Sequence, residues 1–146
     1  MKKILKNIAY KALSFEPLLN YWRRTKLANK IVILMYHEIA EDTDDIEAWT
    51  VVKKNDFIRQ MEYLSKYFNI ISLQEALKQI HSSLNNGDSK PSAVVTFDDG
   101  YAGNRRILLP IIKSMNIPVT IFAATKHIKD QSLYWYDRLI NALQGE

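Results

Sequence analysis

The sequence predicts an α/β protein built on a parallel sheet, and three observations predict it. Short apolar runs of strand type alternate with segments in which apolar residues recur at helical spacing. The connections are long enough to cross over a sheet, as parallel strands require. One run, residues 93–97, ends directly in Asp98, Asp99 and Gly100. This turn falls where α/β proteins hold their ligands, so we expect the chain to be organised around it.

The composition is that of one globular domain with an uneven charge. The 146 residues are 47% apolar and 25% charged, which is sufficient for a core. The chain has no cysteine, so any metal must be held by His, Asp and Glu. Residues 1–30 carry eight basic residues against Glu16 alone, a net charge of +7, and residues 31–146 carry twelve basic and fifteen acidic residues, a net −3. The basic pI therefore belongs to the leader, and we predict no nucleic-acid partner.

Residues 1–30 are predicted to be a basic amphipathic helical leader, separate from a domain at 31–146. The start is charged like a signal peptide, but Lys6, Asn7 and Lys11 interrupt the apolar core that an export signal needs. We therefore predict no signal peptide and assign no compartment. The leader either packs on its own domain, which is the favoured interpretation, or makes a peripheral contact with a membrane surface.

The first elements follow from local patterns. Residues 2–28 form one or two helices, interrupted near Glu16 and Pro17. Residues 31–36 are a continuous apolar run, typical of a strand buried on both faces, and His37 follows it. Residues 40–50 are acidic and predict a solvated loop.

The middle of the chain predicts two helices around a brief strand. Asn55 is the expected N-cap of the first helix, and Ser72 and Glu75 form a capping box at the start of the second. The strand is expected at Ile70 and Ile71. The buried face of the first helix is predicted to be Phe57, Met61, Leu64 and Phe68.

The remaining elements alternate after the central strand. Residues 104–115 predict a helix with Ile107, Leu108, Ile111 and Ile112 inside, and Pro110 is expected to kink it. Residues 117–123 predict a strand that opens with a proline, and residues 133–143 predict a last helix.

Three strand ends are predicted to bring polar groups to one rim of the sheet: His37, the pair Asp98 and Asp99, and the turn at residues 125–127. Neighbouring side chains diverge, so one carboxylate can bind a cation while the other acts as a general base on water. His37 is equally well explained as a structural histidine. His81 and His127 are expected to be surface residues.

No local spacing announces a complete metal site, because no two histidines lie one helical turn apart. Phosphoryl transfer by an aspartate nucleophile is a weak alternative, since that chemistry places its two acids two residues apart. The chain also has no glycine-rich phosphate loop and no nucleophile elbow.

The motif Thr96-Phe97-Asp98-Asp99-Gly100-Tyr101 is similar to the first motif of the polysaccharide deacetylases, the chitooligosaccharide-deacetylase-like enzymes of carbohydrate esterase family 4. Residues 34–39 and 118–122 resemble the strands before and after that motif, in the same order. The likeness covers residues 31–146. It implies part of a distorted (β/α) barrel, preceded here by N-terminal helices, and metal-dependent hydrolysis of N-acetyl or O-acetyl groups on a glycan.

Carried over by position, the resemblance implies that Asp98 is the catalytic base and Asp99 a ligand of a divalent metal, with zinc expected. His37 would line the catalytic pocket. The family's two metal histidines, four residues apart and downstream of the strand at 117–123, have no counterpart before Glu146. The chain is therefore expected to be the N-terminal half of the domain, inactive alone and prone to self-association. The alternative is a non-catalytic remnant that binds glycan or serves assembly.

Overall fold

The computed structural model describes residues 15–27, 30–45, 48–82, 90–130 and 132–144. Within them a four-stranded parallel sheet contains β1 (Ile31–Tyr36), β4 (Asn69–Ile70), β5 (Ser92–Asp99) and β6 (Val119–Ala123). β5 pairs with β1 over residues 92–97, and it also pairs with β4 at its start and with β6 at its end. The predicted α/β architecture with parallel strands, centred on the strand that ends in the two acids, is confirmed.

A second, two-stranded sheet was not predicted. β2 (Glu38–Ala40) and β3 (Val51–Lys53) pair in parallel at the two ends of the predicted acidic loop. Strands of three residues are too short to give a periodic signal, so local pattern could not reveal them.

The helices largely follow the sequence prediction. Pro17 lies in the first turn of the first helix, where its missing N–H costs nothing. One helix was unexpected, at the predicted turn after β6. No helix of the described ranges is long and apolar enough to cross a membrane. The helices are α1 (Glu16–Lys26), α2 (Lys54–Tyr67), α3 (Leu73–Ser82), α4 (Leu109–Met115), α5 (Thr125–Asp130) and α6 (Trp135–Gln144).

The core lies between α2 and one face of the sheet. Phe57 and Met61 of α2 are fully buried, as is Phe97 of β5. The Tyr36 ring stacks on Phe97 with centroids 5.2 Å apart, and Phe57 meets both rings edge-on. The predicted buried face of α2, which also includes Leu64 and Phe68, is confirmed.

One helix cap was predicted correctly and the other was wrong. The Ser72 amide donates to Glu75 Oε2 over 2.8 Å, and the Glu75 amide donates to Ser72 Oγ over 3.2 Å, which is the capping box. Asn55 is not an N-cap, because α2 already begins at Lys54 and the Asn55 amide donates to Asp42 Oδ1. The preceding acidic loop, rather than a cap side chain, accepts from this helix start.

The expected burial of β1 on both faces is wrong within the described residues. Val32 and Leu34 pack against the core and Tyr36 is buried, but Ile33 and Met35 are 59% and 60% exposed. The strand therefore alternates like a half-buried strand although its sequence does not alternate. A continuous apolar run allows a strand to be buried on both faces, but the packing of neighbouring elements decides whether both faces are buried.

The helix predicted over residues 104–115 begins as a π-helical turn and continues as α4, and Pro110 lies in the first turn of α4. Residues Asn104–Leu108 are π-helical and lead directly into α4, and the Leu109 amide donates to the Asn104 carbonyl five residues earlier. Pro110 has no N–H to continue an α-helical ladder at this point. Ile107, Leu108 and Ile111 are buried as predicted, and Ile112 is partly buried.

Two predictions lie at the edge of what the structure describes. The predicted break near Glu16 coincides with the start of α1, whereas residues 1–14 and the loop predicted at 85–88 lie outside the described residues. The division between a leader at 1–30 and a domain at 31–146 stays a prediction.

Candidate active site

His37 and Asp99 meet at the carboxyl ends of two neighbouring parallel strands. β1 ends at Tyr36, which is in register with Phe97, so His37 follows β1 at the level where Asp98 and Asp99 complete β5. His37 Nδ1 lies 2.8 Å from Asp99 Oδ2, and each side chain is 18% exposed. The structure therefore brings these two predicted site residues together. The pocket role of His37 and the metal-ligand role of Asp99 stay predictions.

The backbone turns sharply at the acid pair. Asp99 has φ +70° and Gly100 has φ +78°, and the Gly100 amide donates to the Asp98 carbonyl over 2.8 Å. Aspartate is one of the few side chains that tolerate this left-handed region. Asp98 is still in the extended strand, opposite Phe122 of β6, while Asp99 begins the turn. The two carboxylates therefore start from different backbone conformations and can serve different roles.

Tyrosines that flank the start of α6 hold Asp99. The Tyr136 hydroxyl donates to Asp99 Oδ2 over 3.0 Å, and the Tyr134 hydroxyl donates to the Asp99 carbonyl over 3.1 Å. Burial and the neighbouring Asp99 raise the pKa of Tyr136 to about 12, so its hydroxyl remains a donor at neutral pH. Among the described residues no donor reaches Asp99 Oδ1, and the Asp98 carboxylate has no hydrogen-bond or ion-pair partner.

A second hydrogen bond ties the motif to the same helix. The Tyr101 hydroxyl lies 2.8 Å from Asp137 Oδ2 and donates to that carboxylate. Burial, with the Tyr136 and Asp137 contacts, raises the pKa of Tyr101 well above its usual value. Burial also raises the pKa of Glu38, and nearby Asp137 raises it further. The site is therefore rich in carboxylates, which favours a cation at this rim.

The π-helical turn holds the backbone of His37 through a hydrogen bond. Asn104 is buried, and its Nδ2 donates to the His37 carbonyl over 3.1 Å. Gly103 packs closely against β2, because a Cβ at this position would lie 2.4 Å from the Ile39 carbonyl oxygen and 2.9 Å from Glu38 Oε1. This close contact between the turn and β2 determines where His37 emerges.

The other two histidines lie outside this contact. His81 is exposed on α3, as predicted, with Nδ1 2.7 Å from the Leu77 carbonyl. His127 is partly exposed at the start of α5. Its ring centroid lies 4.0 Å from that of Tyr134, and its Nδ1 lies 3.0 Å from Ser132 Oγ. The turn predicted at residues 125–127 belongs to α5.

The described residues do not by themselves fit a divalent metal. In that part of the chain no group of three His, Cys, Asp or Glu residues could hold an ion. His37 and Asp99 supply two donors at most, whereas a zinc site takes at least three protein ligands. A metal at this rim needs donors beyond those that the structure describes.

Sequence reasoning missed several residues that contact the acid pair, Tyr101 or His37. Tyr136, Asp137 and Asn104 were not recognised, nor was Trp49, whose 84% exposed ring lies 5.7 Å from that of His37. One local signal was present, because residues 134–136 are a run of three aromatic residues at the start of the last helix, and two of them are tyrosines that can donate hydrogen bonds.

Comparison with known proteins agrees with this geometry. The family model "Polysaccharide deacetylase" matches residues 85–144. The predicted polysaccharide deacetylase YxkH of Bacillus subtilis is 32% identical over an alignment of 111 residues that covers 73% of this chain. The chain spans 36% of the length of that relative.

Two solved structures share the fold. IcaB from Ammonifex degensii has a TM-score of 0.54 and 24% identity, over 64% of this chain and 37% of that one. The Streptococcus pyogenes deacetylase PplD, solved in complex with acetate, has a TM-score of 0.59 and 23% identity, over 70% of this chain and 46% of that one. The parallel sheet therefore corresponds to part of a (β/α) barrel, as the sequence resemblance implied.

Proposed function

The chain belongs to the polysaccharide deacetylase family, and we propose that it carries part of the active site of a metal-dependent hydrolase that removes acetyl groups from a glycan. The observation that supports this most directly is the 2.8 Å contact between His37 and Asp99 at the ends of parallel strands, with Asp98 beside it. The proposed substrate is an amino-sugar polymer with N-acetyl groups. Removal of O-acetyl groups from a glycan is the alternative reaction.

Asp98 is the proposed general base. Its half-buried carboxylate has no partner in the described part of the chain, so it is available to accept a proton from the water that attacks the acetyl carbonyl.

Asp99 and His37 are the proposed donors toward a divalent ion, with zinc expected. Tyr136 and His37 both contact Oδ2 of Asp99, so Oδ1 is the oxygen proposed to bind the ion. A bound ion would polarise the acetyl carbonyl. Because the described residues lack a third ligand, we expect the 146-residue chain to bind zinc weakly and to release negligible acetate.

Zinc titration tests this expectation. Calorimetry with zinc chloride and the full chain should give weak binding that Asp99→Asn reduces further. The matched control Asp130→Asn, an exposed acid at the end of α5, should bind zinc as the wild type does. Tight stoichiometric binding by the wild type would contradict the two-donor site and would implicate further ligands such as His127.

Catalysis is tested in a version of the protein that supplies the rest of the barrel. Asp98→Asn should abolish acetate release from an N-acetylated oligosaccharide while oligosaccharide binding persists. Unchanged turnover in this variant would remove Asp98 from the role of base.

A non-catalytic glycan-binding role is the second candidate, and Trp49 favours it. This exposed ring stands next to His37 and offers an apolar surface on which a sugar ring can stack. A pure binder should lose glycan affinity in Trp49→Ala and keep it in Asp98→Asn. An enzyme should show the Asp98→Asn loss of turnover whether or not Trp49 contributes affinity.

A further inference from the structure

Helix α1 is held to the rest of the protein by a buried arginine. Arg23 is only 6% exposed, and its guanidinium lies 3.8 Å from the centre of the Tyr67 ring on α2. The same group hydrogen-bonds to Tyr63 and Asn20, and it forms a 3.1 Å ion pair with Glu16. The side of α1 that faces α2 therefore carries a charged anchor.

The opposite side of α1 carries large apolar side chains, together with Thr25, that are uncovered in the described residues. Phe15, just before the helix, is 61% exposed, and the outward residues Leu18, Tyr21 and Trp22 are 45%, 64% and 54% exposed. With 3.6 residues per turn these four side chains fall within an arc of about 120°. We call them the α1 aromatic face. Four large apolar side chains on one helical face form a patch rather than scattered exposure.

Basic residues border this face. Arg24 and Lys26 flank the arc on its two sides, and Lys30 follows the helix; all three are exposed. The only acidic residue among residues 1–30, Glu16, is paired with Arg23 on the inner side. The charge around the apolar arc is therefore positive, in a segment whose net charge is +7 while the remaining residues carry −3.

We propose that the α1 aromatic face lies in the interfacial region of an anionic lipid bilayer. A helix with Trp, Tyr, Phe and Leu on one side and flanking basic residues matches such a surface in both polarity and charge. The charge complementarity favours anionic lipid over a protein surface. Because Arg23 fixes α1 to α2, the helix would hold the sheet and its acid pair at the membrane. This inference is independent of the deacetylase proposal.

Vesicle co-sedimentation of the full chain tests the proposal. The wild type should bind vesicles of phosphatidylglycerol and phosphatidylcholine, bind pure phosphatidylcholine much less, and dissociate as salt is raised. Leu18→Ser with Trp22→Ser should lower the bound fraction at least tenfold. The control Trp135→Ser with Leu143→Ser, which removes the same residue types from exposed positions on α6, should bind as the wild type does.

A second variant guards against misfolding of the first. Arg24→Gln with Lys26→Gln changes only exposed side chains, and it should weaken binding to anionic vesicles while circular dichroism stays unchanged. Failure of the wild type to bind these vesicles would overturn the proposal, as would equal loss in the α1 and α6 variants. A different result would assign the face to a protein contact. In that case the wild type would not bind vesicles, and sedimentation velocity would show that Leu18→Ser with Trp22→Ser has lost self-association.

Discussion

Asp99 combines a left-handed backbone conformation with hydrogen bonds to both its carboxylate and its carbonyl group. Its φ of +70° is tolerated by Asp, Asn and Gly, and its carboxylate meets both His37 and Tyr136. Two substitutions at this position therefore separate conformation from charge. We expect Asp99→Asn to keep the fold and lose the negative charge. Asp99→Ala should add a left-handed penalty of about 1–2 kcal/mol on top of that loss.

Urea unfolding measures this difference. The midpoint of Asp99→Ala should lie clearly below that of Asp99→Asn at the same pH. Equal midpoints would mean that the turn relaxes when the side chain is shortened.

Gly103 is required for close packing rather than for a special φ. Its backbone is right-handed helical, with φ −57°, but an added Cβ would meet the Ile39 carbonyl oxygen at 2.4 Å. Because that atom is backbone, it cannot rotate away. Gly103→Ala should lower the free energy of unfolding by about 1–3 kcal/mol, measured by denaturant titration. Ala102→Gly on the same turn serves as a control, and it should cost no more than about 1 kcal/mol.

At the level of elements, the capping box makes the stability of α3 depend on pH. Hydrogen bonds from Ser72 lower the pKa of Glu75 below its usual value. A carboxyl group with a lowered pKa contributes stability at pH above its unfolded value, and that contribution is lost as the pH falls through the folded value. Ser72→Ala removes an N-cap hydroxyl, which costs about 1 kcal/mol near neutral pH.

Thermal unfolding of the wild type and Ser72→Ala between pH 7 and pH 3 checks the sign. The difference between their unfolding midpoints should be largest at neutral pH and should decrease below about pH 4.5. A gap that stays constant would show that the carboxylate of Glu75 takes no part.

The docking of α1 depends on one buried cation. Arg23→Ala removes the contacts of the guanidinium with Tyr67, Tyr63 and Glu16. We expect this substitution to lower the free energy of unfolding by about 1–3 kcal/mol. The neighbouring Arg24 is exposed, so Arg24→Ala should cost less than about 0.5 kcal/mol. Hydrogen exchange of α1 amides provides the readout, and similar protection in both variants would contradict the anchor.

At the scale of the molecule, one side of the sheet carries exposed apolar side chains on β1 and β6 in the described ranges, although Val94 and Thr96 of the central strand are buried there. Ile33 and Met35 on β1 and Phe122 on β6 are 59%, 60% and 53% exposed, and the register places them on the same side of the sheet. Covering such a face releases water from apolar surface, so we expect the chain to self-associate with rising concentration.

Sedimentation velocity over a concentration series tests this expectation. Ile33→Thr with Met35→Thr should shift the distribution toward monomer, because both side chains lie on the side of the sheet with exposed apolar residues. Ile80 is an exposed apolar residue on α3, and Ile80→Thr should leave the distribution unchanged. A wild type that stays monomeric throughout would contradict the prediction.

The sequence by itself determined the central strand, the acid pair at its end, the capping box and the apolar face of α2. These features depend on neighbours within a few residues, where side-chain period and turn chemistry act directly. The residues that match a family motif also lie within one short segment, so the family resemblance could be recognised locally.

Only the tertiary structure decided what surrounds Asp99 and which apolar surfaces stay open. Tyr136 reaches Asp99 across 37 residues and Asn104 reaches the His37 carbonyl across 67, and local patterns do not specify contacts at such separation. The exposure of Ile33 and Met35 was equally unreadable, because an apolar run in a strand has the same sequence whether one face or both are covered. Local chemistry determined the elements, and long-range packing determined their partners.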